Sequence, residues 1–141
     1  MNEELQKKYL EFQLIQQQVE QIQQQHALVE NQLAQLVSLK DALEGLKNSA
    51  VKSEMLAPLG AGVYAYSSLN ENEHVLMNIG ARTAVRKSVP DAQEIVSRQI
   101  EEVRKFSDDI QKAIAQFASR HQELQQELQK EAQKGQKAEN K

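Results

Sequence analysis

Apolar residues recur along the first third of this chain at alternating steps of three and four. Phe12, Val19 and Leu33 fall on a positions of a heptad, and Ile15, Ile22, Val29, Leu36 and Leu43 on d positions. A seam that keeps this register over several heptads predicts a coiled-coil helix rather than a globular one. His26 and Lys40 interrupt it at a. The helix is predicted over residues 2–47. Asn2 would cap it, Glu3 and Glu4 suit its positive end, and Gly45 and Asn48 are stop signals.

A second helix is predicted over residues 91–134. Ser88, Pro90 and Asp91 supply a capping hydroxyl, a first-turn proline and an N-terminal acid. Val96, Val103, Ile110, Phe117 and Leu124 repeat every seven residues and read as a positions. Phe106 and Ala113 then fall at d, and Ile100, Ile114 and Leu128 widen the stripe at e. Lys130 and Lys134 suit the negative helix end, and residues 135–141 read as a flexible polar tail.

Between the helices, over residues 51–89, the period changes from heptad to alternation. Strands are predicted at residues 55–59, 63–69, 74–79 and 83–87, forming two hairpins. Pro58, the run Gly60-Ala61-Gly62, residues 70–73 and Gly80 punctuate them.

The predicted fold class is therefore mostly α: a long antiparallel two-helix coiled coil with a four-strand β segment between the helices. Helices of roughly 45 residues would each run about 65 Å at 1.5 Å per residue. Their matched length would bring both outer ends to one tip. Four short strands leave open edges and an uncovered apolar face, and closing a small barrel takes about eight strands. The strands of several subunits are thus expected to complete one another through Val63, Ala65, Val75, Met77, Ile79 and Val85. The helices are expected to project outward, because the β segment offers no evident surface for them. A two-chain sandwich would also satisfy the pattern.

The start of the first helix carries more apolar residues than its seam uses. Tyr9, Leu10 and Leu14 lie off the seam beside Leu5, Phe12 and Ile15. Opposite them stand Leu124 and Leu128, with polar Arg120 and Glu127 at d, so the seam is expected to loosen there. Loosened apolar surface suits docking of exposed hydrophobic segments. The candidate protein-binding residues are Leu5, Tyr9, Leu10, Phe12, Leu14, Leu124 and Leu128. Closure of the coil end, or packing on a neighbour, is the structural alternative.

Composition narrows the functions. Of 141 residues, 40% are hydrophobic and only 4% aromatic, which favours striped helices over a compact core. The net charge of -3 disfavours phosphate-led nucleic-acid binding. With no cysteine there is no disulfide, thiolate site or Cys nucleophile. The acidic start does not read as a signal peptide, and the least polar run, residues 55–66, is broken by proline and glycine. A cytoplasmic protein without a membrane partner is expected.

No constellation for catalysis, cofactor or metal emerges. His26, His74 and His121 lack the helical spacing of a zinc pair, and His26 at a seam position suits a register role. The Gly60-Ala61-Gly62 run lacks the lysine and helix of a phosphate cradle and reads as a turn. Glu101, Glu102, Asp108 and Asp109 lie among basic residues on a solvated helix face. Arg82, Arg86 and Lys87 form a basic cluster suited to protecting a strand edge.

The segment Pro58-Leu59-Gly60-Ala61-Gly62-Val63-Tyr64-Ala65, then Val75-Leu76-Met77-Asn78-Ile79-Gly80-Ala81 and Ala84-Val85-Arg86-Lys87-Ser88, lies between two coils of equal length. This layout resembles the α-class subunit of prefoldin, archaeal in type by its length. Two hairpins rather than one point to the α class. The resemblance implies a hexamer of two α and four β subunits, with two eight-stranded barrels and six projecting coils. It implies a chaperone that holds non-native proteins at the coil tips without ATP and passes them to a group II chaperonin. A structural coiled-coil scaffold or tether with one fixed partner is the rival reading. The glutamines at 16–18 and 23–25 are unusual on solvated coil faces.

Overall fold

The computed structural model describes residues 3–139, with side chains as far as Gly135. Helix α1 spans Glu3–Asn48 and helix α2 spans Val89–Glu139. Strands β1 (Glu54–Gly60), β2 (Val63–Ser68), β3 (His74–Gly80) and β4 (Thr83–Ser88) lie between them. The mostly α fold with two hairpins is as expected. The Asn2 cap and the last two residues of the expected tail lie outside the described residues.

Ser88 is the cap of α2: its Oγ accepts a hydrogen bond from the Asp91 amide at 3.2 Å. The helix therefore begins at Val89, two residues before the expected start. It also continues through Gly135 to Glu139 rather than ending at residue 134. A helical glycine costs about 1 kcal/mol relative to alanine. The surrounding glutamine, lysine, alanine and glutamate are strong helix formers, and together they offset it.

Each hairpin is a separate two-stranded antiparallel sheet. The two share one turn design. Ala61 and Gly62 in the first, and Ala81 and Arg82 in the second, all have positive φ, as a type I′ turn requires. Each turn follows an irregularity in register, between Pro58 and Gly60 and between Asn78 and Gly80. Alanine and arginine are uncommon in this left-handed region, so glycine and asparagine signals alone under-describe these turns.

The chain divides into two compact units, one being Gln32–Val103. Here Leu43, Ala92, Val96 and Ile100 form a buried core. Leu33, Leu36 and Val37 pack against it, and so do Val75 and Met77 of β3. The second hairpin thus lies on the helix pair. This corrects the expectation that the β segment offers the helices no surface. It also packs Val75 and Met77, expected at a subunit interface, half-buried against the chain's own core. The cause is alternation: Val75, Met77 and Val85 share one sheet face, with Lys87 opposite Val75.

The other unit comprises the described parts of Met1–Asn31 and Arg104–Lys141. Its two helix segments run antiparallel, as Glu30 meets Ser107 while Lys8 meets Glu131. Ile15, Val29, Ile110 and Leu124 are buried here. The α1 register agrees with the sequence reading. The α2 register differs. Phe106, expected at d, is 48% exposed, whereas Ser107 is only 4% exposed. The seam of this segment runs through Ser107, Ile110, Ile114, Phe117, His121, Leu124 and Leu128. Val96 and its seven-residue repeats are thus d positions, and Ile100 and its repeats are a positions. Polar Ser107 and His121 concealed the true a positions.

Candidate functional site

Within the unit formed by the start of α1 and the end of α2, side chains of both helices enclose a groove of about 720 Å³. Leu5, Tyr9 and Leu10 line it from α1, and Leu128, Ala132 and Gly135 from α2. Its walls are apolar apart from Gln6 and Glu131. Heptad geometry explains the arrangement. Leu5 and Leu128 are seam residues of the last layers, whereas Tyr9 and Leu10 sit one turn of the wheel away, at e and f. Those two remain more than half exposed.

The structure therefore brings together Leu5, Tyr9, Leu10 and Leu128 from the expected set. It separates the others. Leu124 is 0% exposed and belongs to the seam. Phe12 stacks on His121, with ring centroids 4.4 Å apart and planes at 22°. Both serve coil packing rather than an open surface. Leu14 is exposed but does not line the groove. Gly135 was missed because the second helix was expected to end at residue 134, and Ala132, inside that helix, because its small side chain adds little to an apolar pattern. Extending the corrected repeat past Leu128 puts Gly135 at a and Ala132 at e, beside the seam.

The seam next to the groove does not loosen as expected. Arg120 donates from Nε to Glu11 Oε1 at 2.9 Å and from Nη2 to Glu11 Oε2 at 3.2 Å. Its Nη1 reaches Glu123 Oε2 at 3.2 Å. Lys8 Nζ lies 3.4 Å from Glu127 Oε2 and 3.3 Å from Glu131 Oε1. Arg120 and Glu127 thus form cross-helix ion pairs beside the seam instead of interrupting it.

These pairs shift titration in opposite directions. The Arg120 guanidinium hydrogen bond holds the Glu11 carboxyl below its ordinary value, and hydrogen bonding to Glu131 raises the Lys8 ammonium. A carboxyl lowered in the fold is protonated more readily in the unfolded chain, so its stabilisation is lost as pH falls through the carboxylate range. Thermal melting followed by circular dichroism should give a lower midpoint near about pH 3 than near about pH 7. The Arg120→Gln variant should melt below the parent at neutral pH, with the difference closing on acidification. A difference that persists in acid would contradict a charge-based role for the pair.

The hairpins present a second apolar surface. Tyr66 is 96% exposed, and Leu56, Leu59, Val63, Tyr64, Leu76 and Ile79 are also exposed. Of the expected assembly residues, Val63 and Ile79 are open, while Ala65 and Val85 are half-buried.

Among the described residues, one grouping could hold a cation: Glu71, Glu73 and His74, whose ligand atoms lie within 4.8 Å of one another. A guanidinium already occupies that role. Arg86 Nη2 donates to Glu71 Oε1 at 2.8 Å, and His74 contacts the same oxygen. The Arg86 hydrogen bond, then that of His74, lowers the Glu71 carboxyl. This is an ion-pair network tying the β2–β3 connection to β4. No helix among the described residues is long and apolar enough to cross a membrane.

Comparisons with known proteins agree on one family. The family described as Prefoldin subunit matches residues 15–134. Prefoldin subunit alpha of Methanococcus aeolicus is 30% identical over 125 residues, covering 89% of this chain and 85% of that protein. Prefoldin subunit alpha of Pyrococcus horikoshii is 27% identical over 120 residues, covering 84% and 81%. Among solved structures, filamentous PFD from Methanocaldococcus jannaschii, determined by cryo-EM, superposes with a TM-score of 0.73 at 17% identity. That match covers 84% of this chain and 98% of the other, and it shows a shared fold.

Proposed function

The chain belongs to the prefoldin family, a family of molecular chaperones, and on that premise we propose that it is an α-type subunit of an ATP-independent holdase. The observation that carries this reading is the apolar groove between Leu5, Tyr9, Leu10 and Leu128. An open groove walled by apolar side chains receives apolar side chains of another protein and has little means of reading their identity. Burying one such side chain is worth about 1.5–3 kcal/mol. That is weaker than millimolar binding, for which about 4 kcal/mol is needed. Retention of a client then comes from several grooves acting at once, and each contact stays weak enough to release.

Assembly supplies the multiplicity. The two hairpins are separate sheets with unpaired edges and exposed apolar residues. Pairing with the strands of other prefoldin subunits would close them, in a hexamer of two α and four β chains. Clients are non-native proteins in the cytoplasm, handed on to a group II chaperonin. Neither nucleic acid nor membrane is a partner in this reading. The test is direct. The chain, assembled with prefoldin β subunits, is mixed with a chemically unfolded protein in the absence of ATP, and light scattering is followed. Suppressed scattering is expected; scattering equal to that of the client alone would overturn the proposal.

A further inference from the structure

The glutamine-rich part of α1 carries a feature that neither the groove nor the hairpins use. The c and f positions of its heptads face away from the seam. Between residues 14 and 28 they are Leu14, Gln17, Gln21, Gln24 and Leu28, and all five are exposed. Leu14 and Leu28 are large apolar side chains facing solvent, Leu28 at 71% exposure. From Phe12 to Val29 the only carboxylate or ammonium is Glu20. The outward positions of α2 across from it are different: Asp109, Lys112 and Glu123 are charged and only Gln116 and Ser119 are neutral, all five exposed. Solvation alone would favour charges on both helices. One neutral face with leucines at its two ends is the composition of a packed surface.

We propose that this face is a contact between two copies of the chain, with α1 lying antiparallel on α1 of the second copy. The order leucine, three glutamines, leucine reads the same in both directions. A two-fold axis through Gln21 therefore sets Leu14 of each copy against Leu28 of the other, which is the self-complementarity an isologous contact requires. Glutamine offers both donor and acceptor, so Gln21 pairs with its own counterpart on the axis. A neutral stripe brings no like charges face to face. Glu20 is the exception: it flanks the stripe close to the axis and lies near its own counterpart, so it weakens the contact. The stripe is about 21 Å long at 1.5 Å per residue, and so short a contact belongs with weak associations.

The absence of cysteine from the sequence makes a clean test possible. A Gln21→Cys variant of the full chain is oxidised across a dilution series, beside a Gln116→Cys control on the exposed side of α2. Disulfide dimer is expected at least about ten-fold more readily at position 21, equivalent to about 1.4 kcal/mol. Adding Leu14→Glu and Leu28→Glu should remove that excess, with helix content unchanged by circular dichroism. Adding Glu20→Gln should raise it. Equal cross-linking at the two positions would overturn the proposal, as would indifference to the leucine changes. If the glutamate variant loses helix, the Glu20→Gln arm decides, and no increase there overturns it. Association through the hairpins alone leaves positions 21 and 116 alike, so the two kinds of contact are distinguished.

Discussion

Replacing Leu124 by alanine is expected to destabilise the chain by about 2–5 kcal/mol, the usual cost of emptying a fully buried leucine site. Leu124 is among the largest completely buried side chains, and it belongs to the seam. Helix pairing leaves few neighbours free to collapse into the space. Phe106→Ala is the matched comparison. Phe106 is larger, and a register with Phe106 at d would make it the costlier loss. With half of its surface already in water, it is expected to cost less than about 1 kcal/mol. Urea unfolding followed by circular dichroism measures both. A larger loss for Phe106 than for Leu124 would restore the first register and displace the one described here.

The second large effect concerns activity rather than stability. Tyr9→Ser combined with Leu10→Ser should leave the helices folded, because both side chains are mostly exposed and lie off the seam. It should nevertheless abolish most aggregation suppression by the assembled protein. Each groove loses about 1.5–3 kcal/mol per apolar side chain no longer buried, and the loss multiplies over the grooves that hold one client. Leu14→Ser, which does not touch the groove, should retain most of the suppression. The readout is the amount of chaperone needed to halve light scattering, with melting curves confirming the fold. Full suppression by the Tyr9 and Leu10 variant would assign those residues to a neighbour or to solvent, not to clients.

How far the sequence foretold this molecule depends on the kind of signal. Strict heptads in α1 were legible because Ile15, Val29 and Leu43 are apolar and buried at d. The α2 register was not, because Ser107 and His121 occupy seam positions while Phe106, an apolar residue beside them, does not. Hydrophobicity alone cannot separate a buried serine bonded to Glu30 at 2.7 Å from a solvated one. The strands were legible from alternation, to within a residue or so at each end. The destination of the second hairpin was not, since period-2 patterning names the apolar face but not what covers it. At the groove, Leu5, Tyr9, Leu10 and Leu128 were found as surplus apolar residues. Gly135 was lost because the helix was expected to end just before it, and Ala132 because its small side chain carries little apolar signal.

The second hairpin, seated on Leu43, Ala92, Val96 and Ile100, also sets an order of events in time. Glu44 and Gln93 hydrogen-bond across 49 residues of chain, whereas Lys8 and Glu131 do so across 123. Joining distant points first carries the larger entropic cost. Once the hairpin and its helix neighbours have met, each further layer closes only a short additional stretch, from Glu30 with Ser107 to Glu11 with Arg120. Helix pairing within the unit that holds the groove is then expected to proceed as a zipper from Glu30 and Ser107 toward Leu5 and Leu128. Among the described residues of this unit, the walls of the groove are thus expected to pair last as the chain folds and to part first as it frays.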